Sequence, residues 1–262
     1  MDSAIFGQIL FCQARPLILG PAEAGGARFR EAKLKCISLR GMLKMRRIVE
    51  FVSEGGTTLR GRIHAGKSVP APGIVMSHGF GGVRLQIEPY AEYFAEAGFA
   101  VLLYDHRGFG FSDGAPRQEV NPYVQLSDWR DAISFAATQP EFAPHTGFGV
   151  WGSSFAGGLA MMLAANDPRV SCVVAQIPNV SGHRNGAKIF TAEQIAEIRR
   201  RAAADRVARL AGQQPKTVPI FPTFEGEFSA LMTSLPDGVI NRASRAPTLE
   251  KRSDCAIART SD

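Results

Sequence analysis

The stretch VWGSSFAGG, residues 150–158, has an apolar half that ends at a pair of serines and a small-residue half that follows them. The first half is typical of a buried strand and the second of a helix, so the chain must turn sharply at the serines. A serine hydroxyl becomes a nucleophile only where a base removes its proton and N–H donors stabilise the oxyanion formed on the acyl carbon. This pattern therefore suggests acyl transfer, provided that the chain also supplies the donors and the base.

The spacing of small residues indicates which serine is presented. A strand-to-helix turn holds its nucleophile in a strained conformation, and the residues two before and two after it must be small. For Ser154 these residues are Gly152 and Ala156, where alanine departs from the fuller G-x-S-x-G pattern by one methyl group. For Ser153 the same positions hold two bulky aromatic residues, Trp151 and Phe155. We predict that Ser154 is the nucleophile.

Two backbone N–H groups are candidates for the oxyanion donors. The N–H of Phe155 would lie at the start of the helix, where the helix dipole favours negative charge. The second donor is expected from a loop after an earlier strand, and SHGFGG, residues 77–82, is in that place. Its glycines let the backbone approach a bound carbonyl closely, so the N–H of Phe80 is the natural candidate.

Strand and helix patterns alternate along the chain and would position these residues. A hairpin pattern over 46–66 comes first. Strand patterns cover 73–79, 99–105, 147–153 and 170–178, and helix patterns cover 86–98, 121–139, 154–167 and 191–212. Such alternation predicts an α/β fold, with a mostly parallel, doubly wound sheet covered by helices on both faces. Ligand chemistry then belongs at the carboxyl ends of the strands.

Three motifs in order, MSHGFGG, VLLYDHRGFGFSDG and GVWGSSFAGG, carry a family resemblance over roughly residues 46–212. The chain resembles the α/β-hydrolase superfamily, in the branch of Xaa-Pro dipeptidyl-peptidase-like, dienelactone-hydrolase-like and esterase-like proteins. The resemblance implies a serine hydrolase that cleaves an ester, thioester or amide of a small-molecule acyl substrate through an acyl-enzyme at Ser154. Acyl transfer through a serine needs no cofactor, and the histidines lack the spacing of metal ligands, so we expect neither a cofactor nor a metal. It also implies that Asp105 and Arg107 brace the loop after their strand structurally.

The chain departs from the pattern of this superfamily where the base is expected. The superfamily places an acid and then a histidine after its last two core strands. The one histidine after Ser154 is His183, in NVSGHRN, which we interpret as a solvated loop residue and only secondarily as a substitute base. Asp237 and Asp254 do not end a recognisable strand, so the last strands are apparently missing. The alternative is therefore a truncated or degenerate, non-catalytic relative. Three explanations could account for the missing strands: a natural degenerate relative, a truncated product, or a frame shift near residue 236. We favour the last two.

The organisation of the chain follows from these patterns. We predict a disordered N-terminal extension over 1–45, a hydrolase core over 46–182, a helical cap or lid over 183–235 and an atypical polar tail over 236–262. The cap contains the helix pattern, in which Thr191 and Gln194 approximate a capping box. A core without its last strands would expose an apolar sheet edge, so we also expect marginal stability.

Charge and composition limit the other function classes. The formal net charge is +6, but residues 1–47 hold nine Lys or Arg against three Asp or Glu, which leaves 21 of each in the rest. The basic run KMRR, residues 44–47, lacks interleaved aromatic residues, so we predict no nucleic-acid partner. No apolar run approaches the length of a membrane span.

The four cysteines are scattered, without metal-ligand spacing, which predicts a reduced, cytoplasmic setting. GFGVWG, residues 147–152, matches G-x-G-x-x-G but forms the strand itself, which argues against a dinucleotide site. The oligomeric state is left open.

Overall fold

One sheet organises the first part of the chain. The structure is a computed structural model, and it describes residues 8–12, 15–16, 46–222 and 227–231. Its strands are β1 (Gln8–Cys12), β2 (Arg15–Pro16), β3 (Arg46–Val52), β4 (Thr58–His64), β5 (Gly73–Ser77), β6 (Ala100–Tyr104), β7 (Phe148–Ser153) and β8 (Val170–Gln176). Their order across the sheet is β2-β1-β8-β7-β5-β6-β4-β3.

The four strands β6, β5, β7 and β8 are parallel, and VWGSS lies on β7 near the middle of the sheet. Every residue of β5 and β6 is buried. This explains their continuous apolar sequences, because a parallel strand in a doubly wound sheet has helices over both of its faces. The hairpin of β3 and β4 extends the sheet in antiparallel pairing beyond β6.

Three helices cover the two faces of this sheet: α1 (Glu88–Glu96), α2 (Pro122–Ala137) and α3 (Phe155–Asn166). On one face, buried residues of α2 and α3, such as Trp129 and Leu163, pack against the sheet. On the other face, Ala91 of α1 packs with Met76 and Trp151. α2 begins as the sequence predicts, since the Oδ1 atom of Asn121 accepts the N–H groups of Tyr123 and Val124 at 3.2 and 3.3 Å. The predicted α/β architecture, a central parallel sheet with helices on both faces, is confirmed.

The outer edge of β8 is covered by a strand from the N-terminal part of the chain. The sequence predicts a disordered extension over 1–45 and an exposed edge after the last core strand. β1 nevertheless pairs antiparallel with β8, with Gln8 opposite Gln176 and Cys12 opposite Cys172. The unpaired N–H and C=O groups of an edge strand accept an extended segment readily. The other residues of 1–45 lie outside the described part of the chain.

The chain divides into two compact units, Met1–Gly182 and His183–Asp262. The second contains α5 (Ala192–Leu210), whose predicted capping box is present: the Thr191 N–H donates to Gln194 Oε1 at 2.8 Å and the Gln194 N–H to Thr191 Oγ1 at 3.2 Å. A further helix, α4 (Gly182–Ile189), occupies the stretch that the sequence predicts as a loop. No residue of α4 or α5 is buried. The 236–262 tail lies outside the described residues.

No helix within the described ranges is both long and apolar enough to cross a bilayer.

Candidate active site

Ser154 occupies the turn between β7 and α3. Its φ is 55° and its ψ is −117°, in the left-handed region that non-glycine residues rarely adopt. Ser154 is exposed, whereas Ser153, the last residue of β7, is half-buried. A Cβ atom at Gly152 would overlap the carbonyl group of Ala156, so a side chain at 152 would push the turn open. The turn therefore has the geometry that the small-residue spacing predicts, with Ser154 as the residue it presents.

The backbone of Ser154 is held from the end of β8. Its N–H donates to the carbonyl oxygen of Gln176 at 2.9 Å, and its own carbonyl oxygen accepts the N–H of Asn179 at 2.9 Å. Between these two partners the chain passes through Ile177, a β-branched residue with a φ of 39°. Strain of this kind persists only where the surroundings enforce it. Sequence patterns do not indicate these contacts, because they depend on which strand lies beside β7.

The candidate oxyanion loop, defined here as residues 78–84, follows β5 and lies against the turn. A Cβ atom built on Gly79 would lie 3.0 Å from the carbonyl oxygen of Ser153 and 3.7 Å from Ser154 Cβ. The rings of Phe80 and Phe155 meet edge to face, with centroids 6.0 Å apart. Phe155 is the first residue of α3, so its N–H has no acceptor within the helix. The two residues predicted to supply oxyanion donors are therefore neighbours beside Ser154.

Two residues after β6 hold this loop. The carboxylate of Asp105, fully buried, accepts the N–H of Arg84 at 2.7 Å and the N–H of Phe111 at 3.2 Å. The N–H of His106 donates to Nε2 of His78 at 3.1 Å. Arg107, which the resemblance assigns to the same structural bracing, forms a bidentate ion pair with the buried Asp128 of α2. Asp105 and Arg107 thus connect the loops around the turn to the core.

Three of the five histidines are buried and neutral. Burial lowers the pKa of His78 and lowers that of His106 well below its usual value. Burial also lowers the pKa of His64 to about 4, although the nearby Glu88 carboxylate opposes the shift. The 3.5 Å contact between His64 Nε2 and Glu88 Oε1 is therefore not an ion pair near neutral pH.

The remaining histidines lie in other places. His145 is exposed in a 3-10 turn, Pro144–Thr146. His183 lies in α4, in the second unit, rather than in the loop that the sequence predicts. Asp237 and Asp254 lie outside the described residues. Among the residues that are described, no group of three or more His, Cys, Asp or Glu side chains is placed to hold a metal ion.

The second unit has a cavity of about 540 Å³ of its own. Its lining comes from α5 and two later segments and includes Ile198, Arg201, Lys216 and Phe228. The guanidinium of Arg201 lies over the ring of Phe228, 4.4 Å from its centroid, and also pairs with Glu197.

A central parallel sheet, helices on both faces and a strained serine at a strand-to-helix turn define the class of protein. The family described as alpha/beta hydrolase fold matches residues 72–237, and the chain belongs to it. The particular branch of that superfamily is left as a prediction of the motifs.

The chain is also similar to relatives with known descriptions. The chain is 38% identical over 176 residues to the thiohydrolase AneE of Aspergillus aculeatus, covering 66% of this chain and 54% of the relative. It is 35% identical over 153 residues to the quorum-quenching protein AidA of Acinetobacter baumannii, covering 58% and 50%. The chain thus spans about half the length of these two relatives.

A solved structure is similar as well. The crystal structure of the α/β hydrolase GrgF from Penicillium sp. superposes with a TM-score of 0.55 at 30% identity, over 68% of this chain and 59% of that one. GrgF is described as a polyketide transferase.

Proposed function

We propose that this protein is a serine hydrolase or acyl transferase that works through an acyl-enzyme on Ser154. The observation that carries the proposal is the exposed Ser154 at a φ of 55°, between the central parallel strand β7 and the N-terminus of α3. Strain at an exposed polar residue, on the strand ends where this fold places its chemistry, is typical of a functional residue. The neighbouring Phe80 and Phe155 support the same assignment.

The chemistry has two halves. The Oγ atom of Ser154 attacks the acyl carbon while a base takes its proton, and the oxyanion that forms accepts hydrogen bonds from the Phe80 and Phe155 N–H groups. The bond to the leaving group then breaks, and the leaving group departs with that proton. Water, or another acceptor, attacks the acyl-enzyme in the reverse sense and frees the serine. His183 is only a secondary candidate for the base, retained because it is the one histidine that follows Ser154 in the sequence.

Among esters, thioesters and amides, we propose a thioester of a small-molecule acyl group. Names such as thiohydrolase and polyketide transferase among the relatives support this choice. The half-buried aromatic side chains of Phe80 and Phe155 next to the serine favour an apolar acyl group. A cap or lid role for residues 183–235 and a cytoplasmic setting complete the proposal.

Labelling with a fluorophosphonate probe tests the nucleophile. Folded wild-type protein should become labelled, and Ser154→Ala should reduce labelling to background. Ser153→Ala is the matched control, since it removes the adjacent hydroxyl at the end of β7 and should leave labelling intact. Labelling that persists in Ser154→Ala would contradict the assignment.

The same assay separates this proposal from a truncated or degenerate, non-catalytic relative. Such a protein would bind its ligand but would not react, so the folded wild type would stay unlabelled.

His183→Gln tests the base: labelling should fall if His183 takes the serine proton, and unchanged labelling would assign the base to another residue. Hydrolysis of short-chain acyl thioesters, compared with the matching oxygen esters, then tests the substrate class.

A further inference from the structure

The direction of the Phe80 N–H depends on the peptide that joins Gly79 to Phe80. A trans peptide is planar, with its C=O and its N–H on opposite sides, so whatever holds the Gly79 carbonyl also sets the direction of the Phe80 N–H. This carbonyl oxygen accepts the N–H of Gly82 at 3.2 Å and lies 3.1 Å from Nδ1 of His78. The side chain of His78 therefore contacts the same peptide as the candidate oxyanion donor.

The hydrogen bonds of His78 determine which ring nitrogen carries the proton. Nε2 faces the N–H of His106 at 3.1 Å and must accept, so it is unprotonated. In a neutral imidazole the proton then lies on Nδ1, which donates to the Gly79 carbonyl. His78 is only 1% exposed, and burial keeps the ring neutral by lowering its pKa. Both bonds need this one tautomer, because a proton on Nε2 would face the His106 N–H.

The loop is attached at both ends to successive residues after β6. At its start, His78 accepts from the N–H of His106, and at its end the N–H of Arg84 donates to Asp105 Oδ1 at 2.7 Å. The adjacent Gly110 has a φ of 47°, and a Cβ atom there would overlap the Asp105 carboxylate. The attachment is thus built on the rigid end of a fully buried strand.

We propose that His78 is a positioning residue: by donating from Nδ1 to the Gly79 carbonyl while anchored at Nε2, it aims the Phe80 N–H at the oxyanion on the substrate of Ser154. The inference rests on the proposed function, which makes Phe80 a donor. His78 does not touch the reacting atoms and is not the base. Its effect is confined to the stage at which negative charge develops on the acyl oxygen.

Three variants separate this role from a merely structural one. His78→Leu removes both ring nitrogens. His78→Asn restores a donor at the position of Nδ1, since both nitrogens are two bonds from Cβ. His64→Leu makes the same change at another buried histidine, which is 2% exposed and lies on β4 outside the loop.

The expected result is a selective loss of turnover. His78→Leu should lower kcat on a short-chain acyl thioester, and the rate of fluorophosphonate labelling, on the order of 10- to 100-fold with little change in KM, since only the transition state loses a donor. His78→Asn should recover most of that loss, and His64→Leu should stay within about twofold of the wild type. A folded His78→Leu variant that turns over like the wild type would overturn the proposal.

A second measurement tests the positioning role independently of any enzymatic activity. Nitrogen-15 NMR of the wild-type imidazole should show His78 protonated on Nδ1 and unprotonated on Nε2. A proton on Nε2 would overturn the positioning role whether or not the serine reacts. Absence of labelling in folded wild-type protein would instead overturn the proposed function, so the two failures can be told apart.

Discussion

Gly152 leaves the space into which the backbone of the turn folds back after Ser154. A side chain there would meet the carbonyl group of Ala156, which is backbone and cannot move without opening the turn. Gly149, three residues earlier on the same strand, has ordinary space instead: a Cβ atom would lie 3.4 Å from the Ile74 side chain. The requirement for glycine is thus specific to position 152 at the turn and does not extend along β7.

We therefore expect Gly152→Ala to destabilise the protein by about 3 kcal/mol, the upper part of the usual cost of overpacking. Gly149→Ala should change stability by less than about 1 kcal/mol, since its backbone suits any residue. Urea unfolding of the two variants, followed by circular dichroism, measures both. Equal stability of the two variants would show that the turn relaxes freely around a side chain at 152.

At the scale of the elements, the sequence predicts the strands and helices of the core well, because each has a buried face with a clear period. Asn121 and Thr191 also mark their helix starts correctly through their caps. α4 was missed, since GHRNGAKI carries two glycines, no buried residue and no predicted cap. The helix has eight residues, which is shorter than the window over which helical periodicity is recognised in a sequence.

Contacts between elements are the part that the sequence could not predict. The small residues at 152 and 156 select Ser154. The backbone hydrogen bonds that Ser154 makes with Gln176 and Asn179, however, depend on β8 lying beside β7. Likewise, SHGFGG predicts a loop, whereas the partnership of His78 with His106 needs β5 and β6 to be neighbours. Pairing across distant segments has no local signature in one sequence.

The ion pair of Arg107 with Asp128 joins the loop after β6 to α2, and its removal should be costly. Asp128 is fully buried, so Arg107→Ala leaves an unpaired carboxylate inside the protein, which costs about 3–5 kcal/mol. Arg60 reaches the same loop from β4 but pairs with the exposed carboxylates of Glu50 and Asp113. Arg60→Ala should cost less than about 1 kcal/mol.

Urea titration of both variants near neutral pH gives the two free energies of unfolding. A loss in Arg107→Ala no larger than that in Arg60→Ala would mean that water reaches Asp128 and replaces its partner. Asp128→Asn in the Arg107→Ala background provides a check, because it removes the stranded charge and should recover part of the stability.

For the whole molecule, the covering of β8 by β1 removes the reason for the predicted marginal stability. That expectation assumed that β8 would be an edge, but β8 has hydrogen-bonded neighbours on both sides. Among the strands that the structure describes, β2 and β3 form the two edges. β3 carries charged residues, Arg46, Arg47 and Glu50, which oppose pairing with another chain.

The buried histidines make stability depend on pH. His64 is 2% exposed, and burial, together with the charges of Arg46, Arg62 and Arg84, outweighs the Glu88 carboxylate and lowers its pKa from 6.5 to about 4. Between these values the unfolded chain binds a proton that the folded chain does not, so the free energy of unfolding falls as the pH decreases. The contribution of His64 is complete above its unfolded pKa and is lost progressively toward the folded one.

We expect His64 to account for roughly 2–3 kcal/mol of stability lost between about pH 7 and about pH 4.5, at 1.36 kcal/mol for each unit of pKa difference. Urea unfolding across this range should show the loss in the wild type and a shallower slope in His64→Gln, which has no proton to gain. The difference between the two slopes isolates His64 from His78 and His106, whose lowered pKa values act in the same direction. Identical slopes would place His64 in contact with water, where its pKa would be the same in both states.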